Sequence, residues 1–172
     1  MQVSVYAYIL QAVCGKKMPR VSQKVALQTR KRIIEAALDI VVNQGSENLT
    51  FSILAKKADI SRSGINSHFK LKSDLMSEIR PQIASRIQMR LNYSSPEDFY
   101  MSWTKAVDTD VEFCRLIIAS GAFIKEQDGF ESLIKTISSS NIEITKMYIY
   151  QAIGYAVVNI EQTLKKDVKV PV

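Results

Sequence analysis

Between residues 22 and 44 the apolar positions Val25, Ile33, Ile34, Ala37, Leu38, Ile40, Val41 and Val42 recur at helical spacing, and Gly45 follows as a candidate helix stop. The pattern predicts a long first helix. Thr50 is a good N-cap for a second, short helix through about Ala58, with Ile53, Leu54 and Ala58 turned inward and Lys56 and Lys57 outward. Asp59 falls where the chain must turn, a position often left-handed, which Asp tolerates better than most residues. Ser61 caps a third helix of barely two turns that ends near Phe69. Two short helices about a tight turn, braced by a longer one, make a helix-turn-helix over about residues 50–69.

At about 100° per residue the third helix has two unlike faces. Ile65 and Phe69 share the inner one, while Arg62, Ser63, Asn66, Ser67 and Lys70 fall on the outer arc. Small polar and basic side chains can approach base edges and phosphates closely, and Gly64 leaves room for a neighbouring helix or for DNA. Any solvated helix face is polar, however, so this face alone does not decide the matter.

A fourth helix starts near Lys72, and Pro81 should either kink it or begin a new one. Arg80, Arg86 and Arg90 keep this part basic; NYSSPEDF then ends it, with Ser95 as cap and Pro96 at the first helical position of the next helix. The lobe boundary is expected between about residues 80 and 95. Further helices are expected near 96–107, 111–125, 130–140 and 142–166, with turn or cap signals at Asp110, Asp128-Gly129 and Ser140-Asn141. The last helix carries two apolar stripes, one through Ile149, Ile153, Ala156, Val157, Ile160 and Leu164 and one through Ile144, Met147, Tyr148, Ala152 and Tyr155. A helix apolar nearly all round is buried on both sides, either as the central helix of a monomer or against a second copy of the chain. In so small a lobe we expect the second copy, with Tyr148, Ala152, Tyr155 and Ala156 at the interface and Gly154 allowing close approach.

Composition narrows the class. A chain of 172 residues with 47% hydrophobic residues can bury a real core, and long helical patterns without hairpin signals make it all-α. The net charge of +6 is unevenly spread: residues 1–90 hold fifteen basic against six acidic residues, a balance of +9, and residues 91–172 hold eight against eleven, a balance of −3. The first lobe therefore seeks a polyanion, and nucleic acid and an anionic membrane surface both satisfy that. The short third helix fits a major groove but lacks the large exposed apolar residues of a membrane binder, so DNA is preferred and no membrane is expected.

Cys14 and Cys114 are too few for a disulfide framework, and no Cys/His spacing suggests zinc, so a reducing cytoplasm is the default. The opening MQVSVYAYILQAVCG lacks a basic leader and is too short to span a bilayer; Met18 is an alternative start. His68 is the single histidine and has no second ligand at helical spacing. With no nucleophile, paired-carboxylate or phosphate-loop motif either, neither catalysis, metal nor cofactor is expected.

TRKRIIEAALDIVVNQG followed by LTFSILAKKADISRSGINSHFKLKSDL resembles the DNA-binding domain of TetR-type bacterial transcriptional regulators over about residues 27–87. The shared features are the Gly-terminated first helix, the Thr-capped second helix with Leu54-Ala55, the turn Ala58-Asp59-Ile60-Ser61, and His68-Phe69 followed by Lys72 and Leu75. Two positions depart from the family pattern: Asp59 replaces a common Gly, and Asn66 replaces a Tyr that usually reaches a DNA phosphate. Asn66 is thus expected either on phosphate or on an adenine edge.

The resemblance implies three segments: an N-terminal extension over 1–26, the DNA-binding domain over 27–87, and a helical regulatory and dimerisation domain over 88–172. It implies a homodimeric repressor that presents two reading helices to a pseudo-palindromic operator. The expected DNA-contacting set is Thr50, Ser61, Arg62, Ser63, Gly64, Asn66, Ser67, His68, Lys70 and Lys72, with the basic start of the first helix also on phosphate and Lys72 at a helix N-terminus. A small-molecule effector would enter the second lobe and release DNA. Tyr93, Phe99, Tyr100, Trp103, Phe113, Phe123 and Tyr148 are the aromatic candidates for its pocket, with ordinary core packing the alternative for each. The resemblance weakens after Arg90 and the second lobe is short for the family, as expected of either a compact regulator or a chain missing a terminal helix.

Overall fold

A computed structural model describes residues 20–121 and 127–167, and all its regular structure there is helical. Helix α1 spans Arg20–Gln44; a 3-10 turn over Ser46–Asn48 leads to α2, Phe51–Ala58, and α3, Arg62–His68. Then come α4 (Lys72–Gln88), α5 (Pro96–Thr109), α6 (Val111–Ser120), α7 (Gln127–Thr136) and α8 (Ile142–Asp167). Residues 20–26, expected in the N-terminal extension, form the first turns of α1. Cys14, Met18 and Phe123 lie outside the described residues.

The caps fall where local chemistry puts them. Thr50 accepts a hydrogen bond from the Ile53 amide, Ser61 from Gly64, Ser95 from Asp98, and Asp110 from Phe113. Each satisfies an amide that the helix itself leaves unpaired. Gly45 has φ 93°, and Asp59 sits in the left-handed region at φ 51°, ψ 53°.

One expected boundary shifts on the backbone, and one alternative is settled. Helix α4 runs through Pro81 as one helix, so the proline does not begin a new one. The proline takes an amide out of the ladder, but Ile79 and Ile83 on either side are wholly buried, and this packing holds the helix together across the gap. Asp128-Gly129, read as a turn or cap signal, lies at the start of α7, which runs Gln127–Thr136 instead of 130–140. Gly and Asp are as common at helix starts as in loops, so the dipeptide is ambiguous.

Two apolar clusters organise the chain. In the first, α1 contributes Ile33, Ala37, Leu38, Ile40 and Val41, the helix-turn-helix contributes Leu54, Ile65 and Phe69, and α4 contributes Leu75, Ile79 and Ile83. The second joins Phe99, Trp103 and Val107 of α5 to Phe113 and Cys114 of α6 and to Ile149, Ala152, Ala156 and Ile160 of α8. Helix α6 serves both, because its Leu116 and Ala119 belong to the first cluster. Burial also corrects the second helix: Leu54 and Ala58 face inward as expected, but Ile53 is 38% exposed.

Candidate nucleic-acid interface

Seven residues are too few for an isolated helix to persist in water, so α3 depends on what it packs against. Ile65 and Phe69 are 0% and 1% exposed, and burying two such side chains contributes about 1.5–3 kcal/mol each. That inner anchorage turns Arg62, Ser63, Asn66 and Ser67 out to solvent, with Ser61 and Lys70 exposed at the two ends. Gly64 and His68 are half-buried at the edge of the face. The need for glycine at 64 is internal: a Cβ there would lie 2.8 Å from Ile60 Cγ2 and 3.2 Å from Ser61 Oγ.

The outer side chains differ in how free they are. Ser67 Oγ donates to the Gly64 carbonyl at 2.7 Å, and the Ser61 and Ser63 hydroxyls share a 3.0 Å hydrogen bond. Arg62 and Asn66 make no hydrogen bond to other described residues. Their donors and acceptors stand toward solvent, as direct reading of base edges requires.

Three basic residues at the start of α1 already have partners within the chain. Arg32 Nη2 donates to the carbonyls of Ala58 (2.7 Å) and Asp59 (3.3 Å), the C-terminal end of α2 and the turn itself. Arg30 lies with its guanidinium carbon 4.2 Å from the centre of the Phe69 ring, donates to the His68 carbonyl at 3.2 Å and pairs with Glu78 at 2.8 Å. Two arginines of α1 thus hold both ends of the turn-helix segment, where cations offset unpaired carbonyl dipoles. Periodicity could not show this, since the partners lie 26 to 48 residues apart. Lys31 pairs with Glu35 one turn on, at 3.7 Å.

Lys72 opens α4 and is exposed, but its Nζ donates to the Ser46 carbonyl at 2.6 Å, tying α4 to the 3-10 turn. In the same turn the Asp74 carboxylate accepts from the Leu71 amide at 3.1 Å, so this helix start already has an anion beside it. Thr50, the N-cap of α2, is exposed as well.

In the second lobe a cavity of about 390 Å³ opens among α4, α5, α6 and α7, with Ile153 of α8 also on its wall. Of the aromatic candidates, Tyr93 and Trp103 line it. Phe99 and Phe113 do not: they are fully buried and pack on Trp103, Phe113 edge-on at 5.4 Å and Phe99 tilted at 5.7 Å. Tyr100 and Tyr148 also stay off the wall and contact each other at 6.0 Å. Most of the wall is aliphatic, with Ile83, Ile87 and Leu91 continuing the buried stripe of α4, plus Phe130 and Leu133 of α7. The continuation of that stripe past Pro81 was the available sequence signal.

The stripes of α8 sort differently from expectation. Ala152 and Ala156 are 0% and 3% exposed, buried against the chain's own α5 core. Tyr148 and Tyr155 are half-buried, and the Tyr155 hydroxyl donates to the Asp108 carboxylate at 2.8 Å. The open face instead carries Ile144, Met147, Gly154, Val157 and Val158, where Val157 and Val158 are 77% and 70% exposed. A Cβ on Gly154 would meet no atom within 4 Å. Helical-wheel reading finds two apolar faces; it does not tell which one the rest of the chain covers.

No described helix is long and apolar enough to cross a membrane, and the described residues hold no His/Cys/Asp/Glu cluster suited to a metal ion. Residues 33–79, from α1 into α4, match the family described as bacterial regulatory proteins, tetR family. The chain is 37% identical over 79 residues to the HTH-type transcriptional regulator AcrR of Shigella flexneri, covering 45% of this chain and 37% of that protein. It is 32% identical over 91 residues, 52% of its length, to two proteins of Pseudomonas putida: the uncharacterized HTH-type transcriptional regulator TtgW, of which 66% is covered, and the HTH-type transcriptional regulator SrpR, of which 41% is covered. The matches thus span between about a third and two thirds of these relatives' own lengths. The helix-turn-helix region of the chain thus matches the tetR family of bacterial regulatory proteins over residues 33–79 and is similar there to HTH-type transcriptional regulators.

Proposed function

We propose that the chain works as a homodimeric repressor that reads a pseudo-palindromic operator with two copies of α3 and is released by a small molecule held in the second lobe. The observation that carries this reading is the outward face of α3, on which Arg62 and Asn66 have no partner among the described residues while Arg30 and Arg32 hold the helix from behind. Arg62, Ser63, Asn66 and Ser67 would read bases; Thr50, Lys70 and Lys72 would hold phosphates. For Lys72 this means exchanging the Ser46 carbonyl for a phosphate oxygen, a stronger, charge-assisted partner.

The exposed apolar face of α8 supports self-association, since a contiguous apolar stripe on a helix is a common interface. Two copies would present their reading helices to successive major grooves about one turn, roughly 34 Å, apart. The cavity touches α4, whose other end lies beside the reading helix, so a ligand there has a mechanical route to the DNA face. Selection of bound sequences from random DNA, with protein whose oligomeric state has been measured, tests the reading. An inverted repeat is the expected product; absence of any enriched sequence would remove operator recognition from the protein's role.

A further inference from the structure

Helix α8 leaves one face open along most of its length. On it Met147, Tyr150, Val157 and Val158 are all well exposed, and Gly154, where an added Cβ would meet no atom within 4 Å, lies at the centre. At about 100° per residue these five positions fall within about 100° of arc. The charges toward the two ends of the face show what would fit it. Glu143 and Lys165 lie eleven residues before and after Gly154, and both fall within about 20° of it around the helix. Their side chains are 80% and 74% exposed; along the helix Glu143 pairs with Lys146 at 2.8 Å and Lys165 with Glu161 at 3.2 Å. Two copies of α8 laid antiparallel, Gly154 on Gly154, bring each Glu143 opposite Lys165 of the other copy and each Tyr150 opposite Val158. A parallel pair would instead set Glu143 against Glu143 and Lys165 against Lys165, and like charges so placed repel.

We propose that the open face of α8 is a self-pairing surface on which two copies cross antiparallel, with the two-fold axis at Gly154 and Glu143 of each copy opposite Lys165 of the other. The missing side chain at the axis lets the helices approach to the short end of the usual range, about 8 Å between axes. The crossing is shallow, about 20°, because at about 50° the charged positions, roughly 16 Å from the axis, would splay beyond each other's reach. Such a pairing is self-complementary and closed, so the stripe of each copy is covered by that of the other. The inference rests on the homodimeric reading above and gives that dimer its helix, orientation and register.

Glu143 and Lys165 stand about 33 Å apart along one helix, so any coupling between them passes from one copy to another. Sedimentation equilibrium of the full chain at low salt reads dimer affinity for the wild type, Glu143→Lys, Lys165→Glu and the two together. Each single reversal should weaken the dimer about tenfold, because it is felt twice across the axis, and the double variant should return to within about threefold of wild type. If these charges acted only within their own helix, through Lys146 and Glu161, the two losses would multiply in the double variant, and that result overturns the inference. Gly154→Cys adds a side chain to open space and should cross-link under mild oxidation, with wild type as the blank for Cys14 and Cys114. Met147→Cys should not, since its two copies would stand about 21 Å apart, far beyond disulfide reach. Cross-linking of both variants would mean parallel pairing, and of neither a different interface; either overturns the inference. A monomeric wild type overturns it together with the homodimeric reading, leaving the stripe to another occupant such as residues 1–19 of the chain itself. Operator selection on the same preparation separates the rest: an inverted repeat bound by a dimer without the rescue rejects only this pairing, and the rescue with no enriched sequence upholds the pairing and rejects only the repressor.

Discussion

Arg62 and Arg32 are both exposed arginines of the helix-turn-helix region, and their surroundings give them opposite duties. Arg62 points outward without a partner among the described residues. Arg62→Ala should therefore cost operator binding about 1–3 kcal/mol if the guanidinium forks onto a guanine, and relax preference at one base pair; competition between operator variants measures both. Arg32 instead donates from Nη2 to the Ala58 and Asp59 carbonyls. Arg32→Lys keeps the charge but replaces the planar guanidinium by a shorter ammonium that reaches these carbonyls less well, so the denaturation midpoint should fall by the equivalent of about 1 kcal/mol and operator affinity with it, with the salt dependence unchanged. Lys72→Ala should show the contrary signature: all sequences bound more weakly and a salt slope reduced by about one. A reduced slope in an Arg32 variant would place that side chain on phosphate after all. What the sequence showed here was whatever is local. Thr50, Asp59 and Ser61 declare their caps and turn within a window of three or four residues, whereas the duties of Arg30 and Arg32 depend on partners brought near only by folding.

At the scale of the element, α8 is decided by which of its faces is left over. Thr145, Ile149, Ala152, Ala156, Ile160 and Thr163 turn into the chain's own core, so Met147, Gly154, Val157 and Val158 remain for any second copy. Val157→Glu should leave the monomer folded, since the side chain is 77% exposed, yet weaken self-association by about 100-fold or more by burying an unpaired charge in each protomer. Sedimentation equilibrium reads the outcome; an unaltered dimer would move the interface elsewhere. Gly154→Ala separates the two scales, because within one chain its Cβ meets nothing and helix stability should rise by about 0.5–1 kcal/mol. The same substitution should loosen a dimer that relies on close backbone approach there. Element type and order were legible from periodicity; the inward face of α8 was not, because both of its stripes are apolar. That the helix continues through Pro81 was not legible for a related reason: the local rule against mid-helix proline is weighed against burial of Ile79 and Ile83, which no local window weighs.

At the scale of the whole molecule, the two lobes are joined by charge as well as by packing. Arg90, just past the end of α4, donates to Asp110 at 2.7 Å and to Glu112 at 2.6 Å, and Arg86 reaches Glu112 at 3.3 Å. Burial by itself would raise the Asp110 carboxyl, but bonds from the Phe113 amide and the Arg90 guanidinium outweigh it and hold the group below the ordinary carboxylate range. A carboxyl depressed in the folded state adds stability that is complete above its ordinary value near 4 and is lost as pH falls through the lower folded value. Thermal melts on descending from about pH 5 should therefore fall less steeply for Asp110→Asn, which retains a capping oxygen and has no charge to lose. Parallel curves for the two proteins would deny Asp110 that share of acid sensitivity.

The double membership of α6 bears on how freely the reading lobe could be transplanted. Leu116 and Ala119 close the core beneath α1 and α4, while Phe113 and Cys114, a turn earlier on the same ten-residue helix, belong to the other core. Cutting the chain after Arg90 would leave Leu116 and Ala119 behind and open an apolar breach in the DNA-reading half. A fused or grafted version of this lobe would need to bring α6 with it, or carry polar replacements along the surface that α6 now covers.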